Sequence, residues 1–203
     1  MSFSISKKYK NTCWTDLELL NENDENWEKA ILIIKDRFDS RFFKQIEYLE
    51  NDNFSGFVIM SIDCLLIETI MQFYLGVDNT EINYKGKQWR AFKDFFKQSE
   101  HFNKEFKTNE ICKIFYQQIR CGLLHQAQTK EKSLIKKDRP NLIEIIEINK
   151  TIKGLIIDRK KFHKNLKLEF EDYLVRLSNN QTNFKGENLR INAINKMNFI
   201  CAE

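Results

Sequence analysis

The sequence predicts a mainly α-helical fold, a helical bundle with a small β-hairpin or three-stranded meander inserted before the last long helix. Three observations lead there. Only one Pro and 6 Gly interrupt 203 residues, which leaves long stretches free of helix breakers. Apolar residues recur at spacings of three and four through most of the chain. A single block, residues 133–158, alternates instead and is rich in β-branched side chains. With 42% hydrophobic residues, the length suits one domain spanning 1–203 with an aromatic core drawn from 17 Phe.

The first long helix is expected from about Glu25 to Glu50, capped by Asp24, with Trp27, Ile31, Ile34, Phe38, Phe42 and Ile46 on its inner face. Asn51–Asn53 breaks it. Ser55 caps a second helix that reaches Leu75, apolar nearly all round and therefore central, and Gly76 stops it. Residues 57–77 are apolar enough to suggest a membrane span. Asp63 and Glu68 fall in the middle, however, and each would cost about 2.5–3.5 kcal/mol at a bilayer centre, so a helix buried in a soluble protein is expected.

A loop is expected over 77–87, then a third helix from Gln88 to Glu100 carrying Trp89, Phe92, Phe95 and Phe96. Thr108 or Asn109 caps a fourth, which runs through Ile111, Ile114, Phe115, Ile119 and Leu123 to about His125. Pro140–Asn141 and Asn149–Lys150 mark turns within the β-block. The helical period returns at Arg159 with Phe162, Leu166, Phe170, Tyr173, Leu174 and Leu177, and a short last helix covers 187–200.

The formal charge of +4 says little until it is divided along the chain. Residues 14–50, Glu22 among them, hold ten acids against five bases, whereas residues 130–167 hold twelve bases against five acids. The basic stretch includes Lys136, Lys137, Arg139, Arg159, Lys160 and Lys161, a candidate surface for an anionic partner such as nucleic acid, or simply a solvated face. Cys13, Cys64, Cys112, Cys121 and Cys201 are odd in number and scattered, so neither a disulfide framework nor a zinc site is expected, and a reducing cytoplasm fits. The first eleven residues contain bases without an apolar run, so no secretory leader is expected. The glycines are too far apart for a phosphate-binding loop or a dinucleotide fingerprint, and no G-x-S-x-G elbow occurs.

Of three histidines, His101 ends a helix beside Glu100 and His163 follows the basic run Arg159–Lys161, so both are expected on the surface. His125 differs. It closes the fourth helix in the stretch Ile119-Arg120-Cys121-Gly122-Leu123-Leu124-His125-Gln126. Arg120 and His125 form an R-x4-H pair, which resembles the R-x4-6-H signature of the HEPN superfamily, small helical domains that include prokaryotic toxin and phage-defence ribonucleases. The resemblance rests on that stretch; elsewhere it is one of helical character.

The resemblance implies a metal-independent endoribonuclease needing no cofactor, working on RNA as a homodimer whose motif sites line a shared cleft, with an antitoxin or regulatory protein as a further partner and no membrane. The chemistry suits the residue types. RNA carries its own nucleophile, the 2′-hydroxyl. An imidazole can move protons near neutral pH, and a guanidinium offers permanent charge to the phosphorane.

Asp63, Glu68, Tyr116 and Gln126 are the candidate supporting residues, with one of the two acids orienting Arg120 or His125, or either acid instead satisfying a structural Lys, Tyr or backbone amide. Five residues on a regular helix leave Arg120 and His125 about 140° apart, so Gly122 is expected to bend or end the helix between them. Cys121 stands where the family often has a small polar residue. That keeps open a catalytically inactive bundle acting in RNA binding, dimerisation or partner binding, and a helical protein whose Arg and His merely meet the helix dipole.

Overall fold

A computed structural model describes residues 1–20 and 24–202, which leaves Glu22 of the acidic stretch outside the described residues. The chain is mainly helical, with a small mixed sheet before its last long helix. In order come α1 (Asn11–Thr15), α2 (Asp24–Phe38), α3 (Lys44–Leu49), α4 (Gly56–Leu75), α5 (Glu81–Tyr84), α6 (Trp89–Gln98), α7 (Asn109–Ile114) and α8 (Cys121–Gln126). Strands β1 (Leu134–Lys136), β2 (Ile143–Ile148) and β3 (Thr151–Asp158) follow, then α9 (Arg159–Ser178) and α10 (Leu189–Ala202).

The described chain forms two compact units, one of Met1–Tyr48, Gln72–Asn79 and Phe170–Glu203, the other of Leu49–Met71 and Thr80–Glu169. In the first, Phe38 stacks on Phe170 at 4.3 Å between ring centroids and meets Phe73 edge-on at 5.6 Å. The expected first helix is α2 and α3 joined by a π-helical turn, Asp39–Phe43. That turn holds one more residue than an α-turn, so the inward position falls on Phe43, which is buried, rather than on Phe42. Gly76 ends α4 at φ +62, where a Cβ would stand 2.8 Å from the Asn192 Cα.

The second unit packs Phe92, Phe95, Phe96, Phe102, Phe106, Phe115 and Phe162 into one cluster, all of them buried. Phe96 stacks on Phe106 at 3.7 Å and Phe115 on Phe162 at 5.3 Å, geometry worth about 0.5–1.5 kcal/mol per pair beyond area burial. Thr108 caps the fourth predicted helix, its Oγ1 accepting from the Ile111 amide at 3.2 Å. That helix is α7, a π-turn over Phe115–Arg120, and α8 in succession.

Ser55 precedes α4, but its hydroxyl turns back to the Leu49 and Asp52 carbonyls (2.6 and 2.9 Å) instead of capping the helix. The loop expected over 77–87 contains the single turn α5. The longest apolar helix, α4, would meet a membrane-span criterion by length and composition, and 61% of its most apolar window is buried inside the protein.

Strands β2 and β3 form the expected hairpin, turned by Asn149 and Lys150 at φ 51 and 60. The third strand does not continue a meander. β1 lies parallel to β3, Leu134 opposite Ile156, so the order is β1-β3-β2. Gly154 makes this possible, because a Cβ there would lie 2.6 Å from the Lys132 carbonyl carbon. Ser133 Oγ then accepts from the Leu155 amide at 3.0 Å and ties the incoming chain to β3.

Candidate functional site

The π-turn before α8 widens the backbone by one residue and leaves Tyr116 and Arg120 on a common face. Arg120 packs over the Tyr116 ring, its Cζ 5.4 Å from the centroid. Its Nε and one terminal nitrogen both donate to the same oxygen, Glu68 Oε1, at 2.8 and 2.7 Å. Glu68 on α4 is therefore the acid that meets the motif arginine. Burial disfavours the Arg120 charge, but Glu68, with smaller help from Tyr116 and Cys121, holds the guanidinium above its ordinary pKa. The side chain keeps 16% of its exposure.

His125 lies one and a half turns further along, exposed in the last turn of α8. Among the described residues no hydrogen bond or ion pair fixes it. Gln126, the last residue of α8, is exposed as well. The segment Cys121–Gln126 is regular α-helix, so Gly122 neither bends nor ends it. Instead Gly122 makes room for the chain that doubles back after α8: a Cβ would lie 2.5 Å from the Gln128 carbonyl oxygen and 3.2 Å from the Lys130 amide. Arg120 and His125 thus keep the divergence of about 140° that a regular helix imposes.

Asp63 does not reach the motif. It is fully buried, and its Oδ1 lies 2.7 Å from Nδ1 of His163 on α9. His163 is consequently not a surface residue: it is 3% exposed. Burial raises the Asp63 pKa, and the hydrogen bond and charge of His163 offset this only in part. The sequence hides this pair because 100 positions separate its members, and the basic run around His163 masks an inward-facing site.

The basic stretch is knitted into its own neighbourhood. Arg159 is buried and donates to Ser55 Oγ at 2.9 Å and to the Asp52 carbonyl, so it holds the start of α4 and offers nothing to a partner. Arg139 forks onto Glu144 at 2.7 and 3.1 Å, and Lys160 reaches Asp138 at 3.1 Å. Lys161 Nζ donates to the Arg139 and Pro140 carbonyls at 2.6 and 2.7 Å, and Lys137 to Asn53 Oδ1. Lys136 alone of the six is exposed with no such tie among the described residues.

A groove of about 620 Å³ opens beside the motif, lined by Tyr116, Gln117, Gln118, Cys121, Lys130, Glu131, Ile152 and Lys153. Neither Arg120 nor His125 lines it, but it shares Tyr116 with Arg120. Gln118 is its hub. The Gln118 carbonyl accepts from the Lys130 amide at 2.8 Å, its Nε2 donates to the Lys153 carbonyl at 3.2 Å, and its Oε1 accepts from Ser133 Oγ at 2.7 Å. Burial, above all, lifts the Tyr116 phenol to about pKa 12, and a hydrogen bond with Cys121 adds to this. Sequence reading did not assemble this groove, because its walls come from a helix, a returning loop and a strand. Comparisons with protein-family models, with curated proteins and with solved structures find no match for this chain.

Proposed function

We propose that the chain is a metal-independent endoribonuclease of HEPN type, acting in the cytoplasm as a homodimer in a toxin or antiviral setting. One arrangement supports this best. Arg120 is held by Glu68 and Tyr116 with its guanidinium still partly exposed, while His125, tied to none of the described residues, stands about one and a half turns further along. A fixed cation and a free imidazole are the two groups that in-line attack by the 2′-hydroxyl requires.

In this mechanism His125 takes the 2′-hydroxyl proton or supplies a proton to the departing 5′-oxygen, and Arg120 stabilises the charge of the phosphorane. Within one chain the two side chains leave the helix in different directions. The same pair from a second copy completes the site, and a regulatory or antitoxin protein would act by covering His125.

The Glu68–Arg120 ion pair also favours a second reading. An arginine already neutralised by a carboxylate has less charge to offer a transition state, which suits a catalytically inactive module for RNA binding, dimerisation or partner binding. Incubating RNA with wild type, Arg120→Ala and His125→Ala in EDTA separates the two. Cleavage by wild type alone supports the nuclease; retention of RNA by all three without turnover supports the inactive module; equal cleavage by all three removes the mechanism.

A further inference from the structure

The groove beside Tyr116 has the makings of a ligand site that the Arg–His pair does not use. Its volume of about 620 Å³ lies within the roughly 300–1,000 Å³ of small-molecule sites. Lys130 and Lys153 line it, and neither has a carboxylate within ion-pair distance among the described residues. Glu131 is the acid of the lining, and it sits at φ 52, a left-handed backbone that a non-glycine residue adopts at a cost.

The walls are built rather than incidental. Gly122 lets residues 128–130 press against α8, Gly154 lets residues 132–133 press against β3, and Gln118 bonds to both returning segments. These contacts fix where Lys130 and Lys153 stand. Tyr116 supplies an aromatic wall. Arg120 lies over its ring and Phe92 meets it edge-on at 5.3 Å. Its phenol stays protonated at neutral pH and so brings no negative charge.

We infer that this groove binds a nucleoside monophosphate unit, with the base against Tyr116 and the phosphate between Lys130 and Lys153. Two lysines with no carboxylate at ion-pair distance among the described residues outnumber Glu131 in the lining and call for an anion, and the aromatic wall calls for a planar ring attached to it. A nucleotide joins both in one molecule of suitable size. Such a unit is available as a free nucleotide or as one residue of an RNA strand. As part of a strand it sits next to Arg120, on the flank of the scissile phosphate; that form of the inference rests on the ribonuclease reading.

The test is equilibrium binding of three probes: adenosine 5′-monophosphate, inorganic phosphate, and an oligoadenylate with 2′-O-methyl sugars that cannot be cleaved. Wild type should bind both the nucleotide and the oligonucleotide. Lys130→Glu and Lys153→Glu, surface changes that spare the core, should each weaken both by about tenfold, the loss of one charge-assisted contact. Tyr116→Leu should weaken the nucleotide but not inorganic phosphate.

Tighter binding of the oligonucleotide assigns the groove to a strand, and equal binding assigns it to a free nucleotide. Unchanged affinity in both lysine variants overturns the inference. Lysine-dependent binding without RNA cleavage keeps the groove and removes the nuclease. Cleavage with unaltered KM in the lysine variants keeps the nuclease and removes the groove from its substrate site.

Discussion

Replacing Gly122 with alanine places a methyl carbon 2.5 Å from the Gln128 carbonyl oxygen and 3.2 Å from both the Lys130 amide and the Thr129 Cα. All three are backbone atoms, so no side chain can swing away and the returning segment itself must shift. Overpacking of this kind costs about 1–3 kcal/mol. The shift also strains the 2.8 Å bond from the Lys130 amide to the Gln118 carbonyl, at about 0.5–1.5 kcal/mol if it is lost. Against this, alanine gains up to about 1 kcal/mol over glycine inside a helix.

The balance is a loss of about 0.5–3.5 kcal/mol from these opposing contributions. Urea denaturation reads it as a lower midpoint at unchanged slope. The same variant should bind adenosine monophosphate less well, since Lys130 moves with its segment. A variant as stable as wild type, or more stable, would show that the returning segment does not press on position 122 and would make Gly122 an ordinary helix glycine.

Removing either member of the buried Asp63–His163 pair, as in Asp63→Leu or His163→Leu, should cost about 3–5 kcal/mol in urea denaturation, because the remaining buried group loses the partner that offsets its desolvation. The double variant should lose far less than the sum, and additive losses would contradict the pairing. Tyr116 should ionise at about pH 12, seen as a phenolate absorbance change absent from Tyr116→Phe. Its pKa is raised in the folded state, so its contribution to stability is intact below the ordinary value of 10.0 and declines as pH rises from there to about 12. Gly76→Ala forces a left-handed residue and a 2.8 Å contact with the Asn192 Cα, so it should cost about 2–4 kcal/mol by the same denaturation.

The helices were largely legible because breakers and periodicity act locally. Gly76 ends α4 where expected, Thr108 caps α7, and α9 begins at Arg159. The π-turns were not legible. Period counting assumes one pitch, so Phe42 was expected inward where Phe43 is buried. The parallel pairing of β1 with β3 depends on Gly154 admitting residues 132–133, a contact between segments that no alternation pattern encodes.

For the site, the cost of an unpaired acid inside an apolar helix called for partners to Asp63 and Glu68 without saying which, and Glu68 meets the motif arginine. The other met His163, whose basic sequence neighbours suggested solvent. Arg159 misled in the same way, since a charge run says nothing about which member turns inward to satisfy Ser55 and Asp52. The groove was illegible for a further reason: Gln118 gathers residues 130, 133 and 153 by hydrogen bonds that carry no sequence pattern.

If Arg120 and His125 form a ribonuclease site, RNA's own 2′-hydroxyl is the nucleophile they serve. The direct measurement is end-group analysis of an oligoribonucleotide cut by the wild-type protein in EDTA, beside the same strand made 2′-deoxy at the cut position. The expected result is 2′,3′-cyclic phosphate and 5′-hydroxyl ends from the first strand, no cut in the second, and no product with His125→Ala. Cleavage of the deoxy strand, or full activity without His125, would contradict it.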